Sequence, residues 1–331
     1  MDIGKLPESV LKRSVIKQLH VKRPEVGNGP TIGEDCATLQ VAEDEEIVLS
    51  TDPITGTASD IGELAVTISI NDLASAGAEP IGILLTVLLT PKMREIKLRH
   101  IMEQVDAACQ RYNVQVIGGH TEVTEVVNQP LISVTAVGKV KKGQMISTGG
   151  AKPDMDIVLT KWIGLEGTSI IAKDHEKELL NRLPQSLIDT ARDFDKYLSV
   201  LPESRIAVEH KVAAMHDVTE GGVFGALWEM GEASGVGLDI DLKAIPVKQE
   251  TIEVCEYFGI NPYELISSGA MLIATEDGNG LVRKLEAAGI SSAIIGKSNS
   301  SNDRRILSGD EVRFLEPPKS DALYNINKRE K

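Results

Sequence analysis

Two adjoining stretches, Asp60-Ile-Gly-Glu-Leu-Ala-Val-Thr-Ile-Ser-Ile-Asn-Asp-Leu-Ala-Ser-Ala-Gly-Ala-Glu-Pro80 and Ile81-Gly-Ile-Leu-Leu-Thr-Val-Leu-Leu89, decide how this chain is read. Ile61, Leu64, Ala65, Ile68 and Leu73 recur at helical spacing, so a helix is expected over about 60–77. Asp60 and Glu63 form a capping box at its start, and Gly77-Ala-Glu-Pro80 stops it. The run from Ile81 to Leu89 is apolar almost throughout and reads as a strand buried on both faces. Asn71 and Asp72 sit near the helix C-terminus, where the helix dipole disfavours an acid. A residue that is locally unfavourable marks a candidate functional position.

Working outward, residues 8–20 carry Val10, Leu11, Val15, Ile16 and Leu19 at helical spacing. Strands are expected at 36–41 and 46–51, with Asp52 where the second ends. Downstream come a helix at 92–112, a strand at 114–117, the Gly118-Gly119 turn and a strand at 131–138. The Gly-, Lys- and Pro-rich segment 141–155 reads as a link, which divides the chain into domains 1–145 and 146–331. The second half repeats the rhythm. Strands are expected at 156–160, 237–241, 270–275, 292–296 and 312–315, and helices at 185–200, 202–213 and about 222–234. The fold class expected is α/β (α+β), in two domains.

Acids recur at Gly-punctuated turns: Gly33-Glu34-Asp35-Cys36-Ala37, Thr51-Asp52-Pro53, Asn71-Asp72, and Gly118-Gly119-His120-Thr121-Glu122. Oxygen ligands gathered from separate segments suit Mg²⁺, which takes one or two carboxylates plus phosphate oxygens. Turn and cap duties use the same residue types. The Gly118-Gly119 pair follows a strand, where backbone N–H groups can approach a phosphate. Gly164-Leu-Glu-Gly167-Thr168 precedes a helix and has the same anion-binding logic, with simple capping as its alternative. The segment Met215 to Gly222 opens a helix either as a substrate or phosphate loop or as an ordinary helix start. His120 and His216 are either acid–base groups or structural histidines.

Bulk composition narrows the classes. Lys and Arg number 35 against 49 Asp and Glu, a net charge of −14, which argues against nucleic-acid or anionic-membrane binding. Three cysteines, none in a CxxC pair, build no disulfide framework and fit a reducing cytosol. No apolar leader or membrane-length run is present, so a cytoplasmic location is expected. No G-x-S-x-G elbow, Walker A lysine pattern or G-x-G-x-x-G fingerprint occurs. Any ATP site is therefore of an unusual type.

In this order the motifs resemble the family of aminoimidazole ribonucleotide (AIR) synthetase-related, PurM-like ATP enzymes. That family includes selenophosphate synthetase, thiamine-monophosphate kinase and the hydrogenase maturation protein HypE. Gly33 to Ala37 looks like its G-D/E-D-A/C-A, and Thr51-Asp52 like its T-D. The stretch Asp60 to Pro80 is most similar to the HypE branch, D-I-G-K-L-A-V and V-N-D-L-A-x-x-G-A-x-P. Asp217-Val-Thr-Glu-Gly-Gly222 resembles its D-P-T-R-G-G, and Asn261 to Leu265 its D-P-L segment.

The resemblance implies two domains, each a mixed sheet with flanking helices, and a homodimer whose N-terminal sheets join in a barrel, with ATP and Mg²⁺ as cofactors. The implied chemistry is phosphoryl transfer to a carbonyl-type or similar acceptor, carried by a small molecule or a protein. A small-molecule kinase resembling thiamine-monophosphate kinase and a non-catalytic nucleotide-binding paralogue are the alternatives. Carried over residue by residue, Asp35, Asp52 and Asp72 are the implied Mg²⁺ ligands. Gly33, Asn71, Gly118, Gly119, Thr121, Gly164, Gly167 and Thr168 are the implied nucleotide contacts, and His120 and Asp217 the candidate catalytic residues. Three departures stand out. His120 replaces an acid after the Gly pair, Glu220 replaces an Arg, and no Cys follows Cys255, so self-dehydration of a C-terminal thiocarbamate is not expected.

Overall fold

The computed structural model describes residues 1–34, 36–54, 60–317 and 320–328. Two compact units emerge: Met1–Ala74 with Ala78–Met145, and Ser75–Gly77 with Ile146–Lys331.

The first unit runs β1 (Gly4–Lys5), α1 (Glu8–Ser14), β2 (Glu45–Ile54), α2 (Ile61–Ser75), β3 (Glu79–Leu89), α3 (Glu95–Tyr112), β4 (Gln115–Val123) and β5 (Leu131–Lys141). Its five strands lie in the order β1-β4-β3-β5-β2, with β3 and β4 parallel and the other pairs antiparallel. One face of the sheet is dry. Ile83, Leu85, Val87, Ile132, Val134 and Ala136 are each 4% exposed or less, as are Ile70 and Leu73 of α2 and Leu98 and Val105 of α3. Gly62 lets α2 approach α3 closely, because a Cβ there would lie 2.9 Å from the Gln104 Cβ.

The opposite face is uncovered, and here the structure corrects two expectations. Strand β3 is not buried on both faces: Leu84 is 37% exposed and Thr86 is exposed, and both point away from the helices. Ile47 and Leu49 of β2 share that face. Residues 36–41 form no strand. Leu39 makes only an isolated bridge to Val26, because no longer partner segment lies beside it. The helix expected over 8–20 is α1 followed by a 3₁₀ turn at Ile16–Gln18.

The second unit contains β6 (Asp156–Thr160), α4 (Leu165–Asp174), α5 (Glu176–Leu179), α6 (Gln185–Arg192), α7 (Leu201–His210), β7 (Ala214–Asp217), α8 (Gly222–Ser234), β8 (Gly237–Asp241), α9 (Gln249–Phe258), β9 (Met271–Thr275), α10 (Gly278–Ala287), β10 (Ser292–Asn299), β11 (Arg304–Ser308) and β12 (Glu311–Phe314). Its seven strands follow the order β12-β11-β8-β10-β6-β9-β7. The core is aliphatic, as a chain with 3% aromatics requires: Ile157, Leu159, Leu227, Leu238, Leu272 and Ile295 are fully buried. At the end of β6, Lys161 (φ 53°) turns inward, and its Nζ lies 2.7 Å from Glu203 and 2.8 and 2.6 Å from the Tyr197 and Ser199 carbonyls.

Candidate nucleotide site

Strand β4 is bordered by β1 only at Glu122 and Val123, so most of its length is an open edge. A pocket of about 340 Å³ lies along that edge. Gly118, Gly119, His120 and Thr121 form one wall, and Gly33, Glu34 and Cys36 another. Val15, Leu85 and Met102 line it with apolar surface. Gly119 has φ 142°, and a Cβ there would strike the Leu85 carbonyl oxygen across the ladder. The Gly pair therefore brings bare backbone to the pocket wall. His120 is exposed beside Thr86, with Nε2 3.1 Å from Glu122 Oε2. Of the three cysteines only Cys36 is exposed; Cys109 and Cys255 are buried, and burial pushes their thiols far up.

Asp52 and Asp72 lie elsewhere. Ser50 and Asp52 alternate onto the helix-covered face of β2. Asp72, on α2, accepts a hydrogen bond from Ser50 Oγ, so the two acids flank one serine. Asn71 is fully buried within α2 and does not line the pocket. Asp35 lies outside the described residues. Among the described residues no group of three or more His, Cys, Asp or Glu is placed to hold a metal.

In the second unit the anion-turn expectation for Gly164, Gly167 and Thr168 meets a packing explanation. All three are buried. The Gly164 N–H donates to Ser267 Oγ at 2.6 Å, a Cβ at Gly167 would overlap the Leu265 side chain, and Thr168 Oγ1 bonds Thr251 at 3.0 Å. Asp217 is 6% exposed at the end of β7, and neighbouring His216 is tied to Glu229 at 2.7 Å. A second pocket, about 500 Å³, borders Gly221, with Phe224 and Tyr263 stacked 5.2 Å apart in its wall.

Sequence reasoning missed one cluster altogether. Glu166, in the first turn of α4, is 6% exposed, and burial pushes its carboxyl from 4.5 up to about 7. Asp321 and Glu220 reinforce the shift, and a Ser268 hydrogen bond opposes it. An acid buried in a helix turn was a usable signal; its partners, remote in sequence, were not.

The fold and the glycine-walled pocket define an α/β protein built from two sheet-and-helix units. Residues 33–140 match the family described as AIR synthase related protein, N-terminal domain, and residues 152–307 its C-terminal domain. The chain is 31% identical over 285 residues to carbamoyl dehydratase HypE of Azotobacter vinelandii, covering 82% of this chain and 77% of that protein. It therefore belongs to the AIR synthase-related family. Among solved structures, hydrogenase maturation protein HypE in complex with ATP superposes with a TM-score of 0.81 at 19% identity, covering 98% of this chain and 97% of that one. Thiamine-monophosphate kinase from Stenotrophomonas maltophilia superposes at 0.74 and 19% identity, covering 94% and 99%. Among the described residues no helix is long and apolar enough to cross a membrane.

Proposed function

We propose that the protein is a HypE-like, Mg²⁺- and ATP-dependent enzyme that activates a carbonyl-type oxygen, or a similar acceptor, by phosphoryl transfer. One observation carries this reading: two glycine segments far apart in the chain, at Gly33 and at Gly118-Gly119, line one pocket. Backbone without side chains is what a polyphosphate needs for close approach. The ATP complex of HypE on the same fold supports it. Phosphoryl transfer needs positioning and charge neutralisation more than covalent help from the protein.

The acids fit Mg²⁺. Asp52 and Asp72 offer two hard carboxylates, the number this ion takes when phosphates and waters complete its shell. Bound there, it would neutralise charge on the phosphates. His120, steadied by Glu122, can hold or release a proton at the pocket wall. The glycine pocket lies at β4 and the acids at β2, three strand spacings or about 14 Å apart across the sheet. A two-fold-related copy would bring the β2 edge of one protomer to the β4 edge of the other and complete the site. The exposed Ile47, Leu49 and Leu84 suit such a homodimer interface.

The acceptor is a small molecule or a group presented by another protein. A small-molecule kinase is the second reading, favoured by the superposition on thiamine-monophosphate kinase. A separate phosphorylated product would distinguish it. Nucleotide binding without turnover would instead assign a non-catalytic paralogue. The primary test is calorimetric titration of ATP with and without Mg²⁺ on the parent and on Asp72→Asn. Losing one carboxylate is expected to weaken Mg²⁺-dependent binding about ten-fold or more and to leave metal-free binding unchanged. Equal affinities with Mg²⁺ present would remove Asp72 from the site.

A further inference from the structure

Residues 320–326 close over the start of α8. Asp321, 2% exposed, accepts the Gly221 N–H at 2.8 Å and the Leu323 N–H at 2.9 Å. Tyr324 donates its hydroxyl to Glu220 at 2.8 Å. Ala322 and Ile326 sink into the apolar cluster of Ile171, Phe258 and Leu265. Beneath them lies Glu166, whose Oε2 is buried with no hydrogen-bond partner. The charged neighbours that act on its carboxyl are Asp321, from the C-terminal segment, and Glu220, from the loop before α8. Both are acids, and Ser268 is the one neutral group that favours ionisation. Two buried carboxyl groups, Glu166 and Asp321, thus lie under a solvent-facing rim formed by Glu220 and the Tyr324 phenol, with no cation among the described residues that act on Glu166.

We propose that residues 320–326 form a latch coupled to one proton on the Glu166 carboxyl: the protonated acid keeps the segment seated, and the ionised acid drives it off. Ionisation sends the proton to solvent and leaves a charge facing Asp321 and Glu220. That charge finds water only if the segment lifts. The latch lies wholly in the second unit and does not depend on the nucleotide reading above.

The sign follows from the direction of the shift. Burial raises the docked-state value of Glu166 from 4.5 to about 7. Docking is therefore strongest below about pH 4.5, weakens as pH rises, and loses the whole proton contribution above about 7. Between those limits the docking equilibrium falls at most about 300-fold, and between pH 6 and 8 about ten-fold.

Amide hydrogen exchange of the full chain, read on peptides covering 320–326 and corrected for intrinsic rates, tests this. Protection is expected to drop about ten-fold from pH 6 to pH 8 in the parent. Glu166→Gln is expected to be protected at both values. Glu220→Gln, which removes one of the facing charges, is expected to show a shallower slope than the parent, so the test does not hang on a single variant. Flat protection in the parent, or an unchanged slope in Glu166→Gln, would overturn the latch.

Discussion

Gly119→Ala probes the fold and the candidate site together. Gly119 pairs with Leu85 in the parallel ladder between β4 and β3, at φ 142°. An added methyl would land on the Leu85 carbonyl oxygen, with the Leu85 carbonyl carbon and amide nitrogen each 2.8 Å away. These are backbone atoms of a strand that β5 holds from its other side, so they have no room to retreat. Overpacking costs about 1–3 kcal/mol, and forcing an L-residue into this backbone region costs about 1–3 kcal/mol more. Together they destabilise the first unit by about 2–6 kcal/mol. At about 2–4 °C per kcal/mol, the corresponding transition should fall by about 4–24 °C in differential scanning calorimetry. The neighbouring Gly118→Ala is the control. Its methyl would meet only Leu84 Cδ2, at 3.0 Å, the end of a flexible side chain, so a loss of about 1 kcal/mol or less is expected. If the two variants melt together, the glycine-only contact between β4 and β3 is refuted, and with it the reason for bare backbone at the pocket wall.

Lys161→Met should cost about 3–5 kcal/mol in urea unfolding, because it strands the Glu203 carboxylate at 1% exposure. Adding Glu203→Leu should recover much of that loss, and a double variant no more stable than the single would show that the pair does not act as a unit. Leu49→Asp, on the uncovered face of β2 where Leu49 is 63% exposed, should convert the proposed dimer to monomer in light scattering. A parent protein already monomeric at micromolar concentration would count decisively against the dimer.

Helix α2 could be read from apolar residues at helical spacing between a capping box and a Gly-Ala-Glu-Pro stop, and strand β3 from a nearly unbroken apolar run too short for a helix of ordinary length. What failed was whatever depends on a neighbour. Residues 36–41 carry strand-forming residue types, yet a strand exists only where another backbone runs beside it, and among the described residues only the short segment Glu25-Val26-Gly27 does. Leu84 and Thr86 read as buried because apolar content says nothing of whether a layer covers the second face. The glycines are the sharpest case. Gly119 and Gly167 look alike in sequence, and each is demanded by a close contact, with the Leu85 backbone and the Leu265 side chain respectively. Gly119 also lines the pocket along the β4 edge, whereas Gly167 is buried against Leu265. Of the carboxyl cluster only Glu166 left a trace in the sequence, since it and Asp321 are joined only by the return of the 320–326 segment onto α4 and α8.

Strand β2 occupies one edge of its sheet, and among the described residues β5 is its one strand partner, from Glu45↔Lys141 to Ile54↔Ile132. On the ribosome, Ile54 is made about ninety residues before Lys141. At ordinary rates of synthesis the nascent strand waits roughly 5–20 s with its ladder groups open. It carries Ile47 and Leu49 along one side, the pattern that invites pairing with the wrong chain. Glu45, Glu46 and Pro53 bracket those residues, two charges at one end and a missing N–H at the other. Charges and proline beside an apolar edge strand oppose such pairing, so replacing them is expected to lower soluble yield more than the stability of protein already folded.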